Sequence, residues 1–171
     1  VAVGYGALYE NLTGASNTAI GASSLTANTT AANNTSVGQQ SMESNTTGAS
    51  NTAVGQGSLN ANTTAAYNTA IGAVALAVNT TGTRNDALGY QAGTALTTGS
   101  YNTFIGERAG SATTTASENV AVGSASLSAN TTGTACVAIG KNALAANTTA
   151  ANNTAVGKAA LTANTTGAGN T

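Results

Sequence analysis

Eight asparagines carry the most specific chemistry in this chain. Asn28, Asn45, Asn62, Asn79, Asn130, Asn147 and Asn164 each stand in Asn-Thr-Thr, and Asn11 stands in Asn-Leu-Thr. Each matches the Asn-X-Ser/Thr acceptor pattern, in which an oligosaccharide is attached to the side-chain amide. The same amides have a second chemistry open to them. Stacked at fixed spacing, they hydrogen-bond one to the next, as Asn ladders do in cross-β assemblies. A second set, Asn17, Asn34, Asn51 and Asn68, recurs at the same interval mostly without the acceptor pattern. Sugars on successive layers about 4.8 Å apart would also crowd one another. Both points favour the ladder over the glycan.

Catalysis finds no footing. The chain has no His, and its single Cys136 therefore lacks the base that would activate it as a nucleophile. No Ser sits in a nucleophile-elbow or phosphate-loop setting. The five carboxylates are too scattered for an acid/base pair or a calcium loop. The expectation is a protein that is not an enzyme and needs no metal and no cofactor. One Cys offers no disulfide framework either, and Cys136 reads as a small buried side chain.

The elements that position these residues follow from one repeat. Glycines recur at Gly4, Gly21, Gly38, Gly55, Gly72, Gly89, Gly106, Gly123, Gly140 and Gly157, a spacing of 17 without insertion or deletion. Counting the Asn of "NTAIG" (Asn17) as position 1 puts Gly at position 5. A fixed period of this kind signals a stacked architecture, and 17 residues are too few for a helical hairpin repeat of about 33. Position 4 is always Ile, Val or Leu, and position 2 is mostly Thr or Val. These β-branched residues read as one face of a short strand, turned inward against the Leu of position 9. Position 3 is nearly always Ala or Ser. Two short strands and two corners per repeat make the predicted coil: an all-β, parallel β-solenoid (β-roll) with 17-residue coils. Ten coils at about 4.8 Å would build a rod roughly 48 Å long. Residues 1–171 form a single array that starts and stops at position 2, as if cut from a longer one.

The motifs "NTAIG", "NTAVG" and "NTFIG", each followed by a small residue and Leu or Gly, resemble the head repeats of trimeric autotransporter adhesins. They are also similar to repeats in tail-fibre-like surface proteins of phages and bacteria. The resemblance covers essentially the whole chain. It implies a left-handed roll, assembly as a homotrimer, and display outside the cell for attachment to a surface receptor or glycan.

Composition narrows the function further. Charged residues make up 5% of the chain, the net charge is -1, and Pro and Trp are absent. No basic stripe exists to track a phosphate backbone, which speaks against nucleic acid. The longest nearly apolar run, residues 70–78, is short of the about 20 needed to span a bilayer.

Two further features invite a functional reading. Thr fills position 14 in all ten copies, an array that would suit an ice-binding solenoid. Its neighbour at position 13 is Thr in every copy but the first, however, and adjacent strand residues face opposite sides. Residues 85–118 break the rule: Leu becomes Gly93 and Gly110, the Asn-Thr-Thr Asn becomes Leu96 and Thr113, and Ala becomes Phe104. Asp86, Glu107, Arg108 and Glu118 lie here, with Arg84 just before. This is either a recognition patch or a sister repeat in which Phe104 and Leu96 refill the space the missing Leu leaves. The second reading is the more economical, because exposed charges are usually only solvated. The expectation is a segment of an extracellular filament or adhesive surface fibre, self-associating and open to glycosylation. An ice-binding solenoid and a phage tail-fibre shaft are the alternatives.

Overall fold

The structure, a computed structural model, describes residues 1–171. Each coil contributes one short strand, from β1 (Ala2–Val3) and β2 (Thr18–Ile20) to β10 (Thr154–Val156). The ten strands form one parallel sheet in chain order. The register advances by one repeat per strand: Thr18 pairs with Thr35, Ala19 with Ser36 and Ile20 with Val37. Every residue therefore lies over its equivalent, and the chain is a β-solenoid with 17-residue coils. No helix is long and apolar enough to cross a membrane.

The strand stops where it does because of the glycine. Gly72 has φ +131, a conformation L side chains rarely adopt, and a Cβ there would lie 2.5 Å from the Gly89 carbonyl oxygen. Backbone shape and stacking distance together leave only Gly at position 5.

The second strand expected around the Leu of position 9 does not form. Positions 7 and 9 are left-handed, as at Val74 (φ 52) and Leu76 (φ 48), and so is the corner at position 17, as at Tyr67 (φ 62). Left-handed residues at alternate positions curl the chain instead of extending it. Such conformations strain a bulky residue by about 1–3 kcal/mol and persist only where the surroundings over-determine them. Axial hydrogen bonding does so here. Leu76 N–H donates to the Ala92 carbonyl at 3.0 Å, and Val74 N–H to the Gln56 carbonyl at 2.9 Å. Of 107 backbone–backbone bonds, only 17 lie within the strands, so the ladder runs around the whole coil.

The expected facing of the strand is reversed. Position 3 is the buried one, with Ala19, Ala53, Ala70, Phe104 and Ala121 all at 0% exposure. Position 4 points outward: Ile20 is 40% and Ile71 38% exposed. Position 2 shares the outer face, half-buried or exposed throughout β2 to β10. The reason is width. The Leu side chains of position 9 (Leu25, Leu59, Leu76, Leu127, Leu144) and Met42 already occupy the interior, fully buried. Only a methyl or hydroxymethyl group fits opposite them. Position 8 and the two Asn columns complete the wall.

Candidate functional site

The Asn-Thr-Thr asparagines form one side of this interior. Asn28, Asn45, Asn62, Asn79, Asn130 and Asn147 are all fully buried. Their amides run along the axis: Asn28 Nδ2 donates to Asn11 Oδ1 at 2.6 Å, Asn62 to Asn45 at 2.7 Å, and Asn147 to Asn130 at 3.0 Å. Each also closes its own corner by donating to the carbonyl three residues on, as Asn62 does to Ala65 at 3.0 Å. The nitrogen that would carry a sugar thus already has its N–H groups engaged in the folded coil. Asn11 and Asn164, on the end coils, join the same ladder but are only half-buried.

The position-1 asparagines build a different ladder. Asn51 N–H donates to Asn34 Oδ1 at 2.9 Å, and Asn51 Nδ2 reaches the Ala65 carbonyl at 2.9 Å. Each side chain therefore ties its own coil to the next and pins the corner. Cys136 breaks this column. It accepts no such role: its Sγ donates to the Ala150 carbonyl at 3.3 Å, and the N–H groups of Asn152 and Asn153 face the sulfur. Burial pushes the thiol pKa up, partly offset by those two N–H groups. Such a thiol is inert as a nucleophile.

The variant repeats keep the interior filled but not bonded. A Cβ on Gly93 would lie 2.7 Å from Cδ2 of Phe104, and one on Gly110 would lie 2.5 Å from its Cε1. One ring therefore fills the space of two missing leucines. Leu96 takes an Asn place in the ladder and is fully buried. It cannot donate, so Asn79 Oδ1 is left without a partner, as is Thr113 Oγ1 one coil further on. Both orphans were foreseeable from the two substitutions.

The threonines of the corner divide the work. Position-13 hydroxyls donate along the axis, as Thr46 Oγ1 does to the Thr63 carbonyl at 3.0 Å. Position-14 threonines such as Thr47, Thr64 and Thr81 are exposed. The sheet's outer face carries a second, wider array, built from the side chains of positions 2 and 4. Thr18 and Ile20, Thr52 and Val54, and Thr69 and Ile71 stand side by side there, one pair per coil. Asp86 is the single charge in that array.

No three of His, Cys, Asp and Glu come together. The largest groove, about 330 Å³, is an open notch beside Gly57 lined by Gln40, Glu43, Gln56, Asn60 and Val74, with one carboxylate and no base to pair with it. The chain's classification rests on its fold, a β-solenoid of stacked 17-residue coils, since no protein-family model, no curated protein and no solved structure matches it.

Proposed function

We propose that this chain is a non-enzymatic structural segment of an extracellular filament or adhesive surface fibre, whether on a cell or as the shaft of a virion fibre. The observation that supports this most is the outer face of the sheet. It presents Ile, Val or Leu on every coil from Val3 to Val156, beside a column of mostly Thr and Val. A contiguous exposed apolar row of this kind marks an interaction surface. Identical ridges at a constant spacing mesh best with their own copy, which points to self-association as a homotrimer or a lateral filament. Weak contacts repeated along a rod then add up through effective concentration, which suits attachment to a receptor or glycan. Glycans on the folded fibre are proposed for the exposed position-14 threonines.

Light scattering and negative-stain imaging test the reading. The expected particle is elongated and holds more than one chain. Replacing Ile71 and Ile105 by Lys should return it to single chains without unfolding it. A parent that stays a single chain at high concentration overturns the self-associating fibre.

A second reading draws on the same face. Thr hydroxyls and β-branched methyls in a flat two-column array would order water, as an ice-binding surface does. Inhibition of ice recrystallisation by the parent, lost in Thr52→Lys, would favour it. Inactivity would remove it.

A further inference from the structure

We propose that Arg84, clamped between Tyr67 and Tyr101, is a binding site for the carboxylate of an acidic polysaccharide of low charge density. The three residues occupy position 17 on successive coils, in left-handed corners with φ 62, 56 and 62 that throw their side chains outward. The Arg84 guanidinium carbon lies 5.3 Å from the Tyr67 ring centroid and 5.5 Å from that of Tyr101. Its Nη1 donates to the Tyr101 hydroxyl at 3.0 Å. The guanidinium carbon thus lies over a ring on either side, and its planar edge makes one hydrogen bond.

That edge is what binds an oxyanion. Arg presents five N–H donors in a planar fork that matches a carboxylate two bonds at a time. Only one of the five is used here, and no carboxylate of the chain lies within ion-pair distance. A long side chain usually loses much of its freedom on binding. Here the two rings have already restrained it, so less is lost when a ligand arrives. None of the other three basic residues, Arg108, Lys141 and Lys158, has a ring stacked on it, so the arrangement belongs to this column alone.

The surroundings select the ligand. A single cation cannot track a nucleic-acid backbone, whose binding rests on several phosphate contacts. Glu118 continues the same column one coil beyond Tyr101, and Asp86 lies two residues from Arg84 on the adjoining face. Both repel a densely sulfated polymer more than one with widely spaced carboxylates. Exposed threonines Thr64, Thr81 and Thr98 lie three residues before each member of the column and offer hydroxyls to sugar hydroxyls. The rings of Tyr67 and Tyr101, two coils or about 9.6 Å apart, add aromatic edges at sugar-ring scale. The site gives the adhesive half of the fibre reading a ligand, yet it lies within one chain, so its test does not depend on assembly.

The test titrates a hyaluronate oligosaccharide into the chain, following the Arg84 side-chain N–H and the backbone amides by NMR. Dextran and a heparin oligosaccharide serve as the neutral and densely sulfated probes. Hyaluronate should shift the Arg84 signal and the amides of residues 81–101, with affinity falling as salt rises, and dextran should not. Arg84→Gln should weaken binding at least about tenfold, Arg84→Lys should retain part of it, and Lys158→Gln should change nothing. Unchanged backbone spectra establish that the variants are folded. Undiminished binding by Arg84→Gln, no binding of hyaluronate by the parent, or stronger binding of heparin each overturns the proposal. Failure of the chain to self-associate bears only on the fibre reading.

Discussion

A regular coil such as residues 51–67 and the variant pair, residues 85–118, wrap the same backbone around different interiors. In the regular coil, Ala53 faces Leu59 and the Asn62 amide bonds to its neighbour on the coil before. In the variant pair, Phe104 reaches over both Gly93 and Gly110, while Leu96 and Thr113 interrupt the amide ladder. The difference separates two kinds of cohesion. Packing is collective: volume lost on one coil can be returned by a side chain of the next. Hydrogen bonding is strictly between neighbours, and no residue elsewhere replaces the donor that Leu96 lacks.

The largest expected effect lies within the regular coils. Ala70→Asp places a charge among fully buried neighbours and should cost several kcal/mol. Ile71→Asp, one residue along but 38% exposed, should cost far less. Equal losses on urea denaturation would mean that the two faces are wrongly assigned.

Phe104→Ala should cost about 3–5 kcal/mol, because two glycines leave no side chain to close the cavity. A melting curve close to the parent's would show that the ring is not the common filling of two coils. The converse swap sharpens the point. Ala70→Phe alone should destabilise by about 1–3 kcal/mol through overpacking. Combined with Leu59→Gly and Leu76→Gly it should recover most of that loss, a coupling that double-mutant cycles measure. Additive losses would break the collective view of packing.

Repairing the other ladder should give a smaller gain. Cys136→Asn supplies an Oδ1 for the N–H of Asn153, which now faces a sulfur, and should stabilise by about 1 kcal/mol. No change would show that the sulfur already suffices. The smallest effect is a pH dependence. Burial raises the Cys136 pKa above the ordinary thiol value, so the folded state disfavours the thiolate. The thiol's contribution is fully present below about pH 9.0 and declines as pH rises through the folded-state pKa. Cys136→Ser should flatten that decline.

The orphaned Asn79 Oδ1 and Thr113 Oγ1 give residues 79–113 a reason to exchange amide hydrogens before their flanks. Missing leucine volume is not that reason, since Phe104 restores it. This much could be read from the substitutions once the partners were known. The Arg84 clamp could also have been read in advance, because Tyr67, Arg84 and Tyr101 are spaced by one period. Its signal straddles the boundary of the variant repeats, because Arg84 immediately precedes Asn85.

The amino-acid sequence by itself determined the period, the stacking of equivalents, the glycine corner and the two Asn columns. Each of these depends only on neighbours in the chain or on the same residue one coil away, and an unbroken spacing of 17 makes both visible. The tertiary structure alone decided which way the strand faces. Alternation in a strand defines two faces but does not say which is inside. Apolar residues at position 4 suggested one answer, and the nearly invariant small residue at position 3 encoded the other. The choice rests on the left-handed corners at positions 7, 9 and 17, which aim Leu across the coil and leave room opposite it only for Ala or Ser.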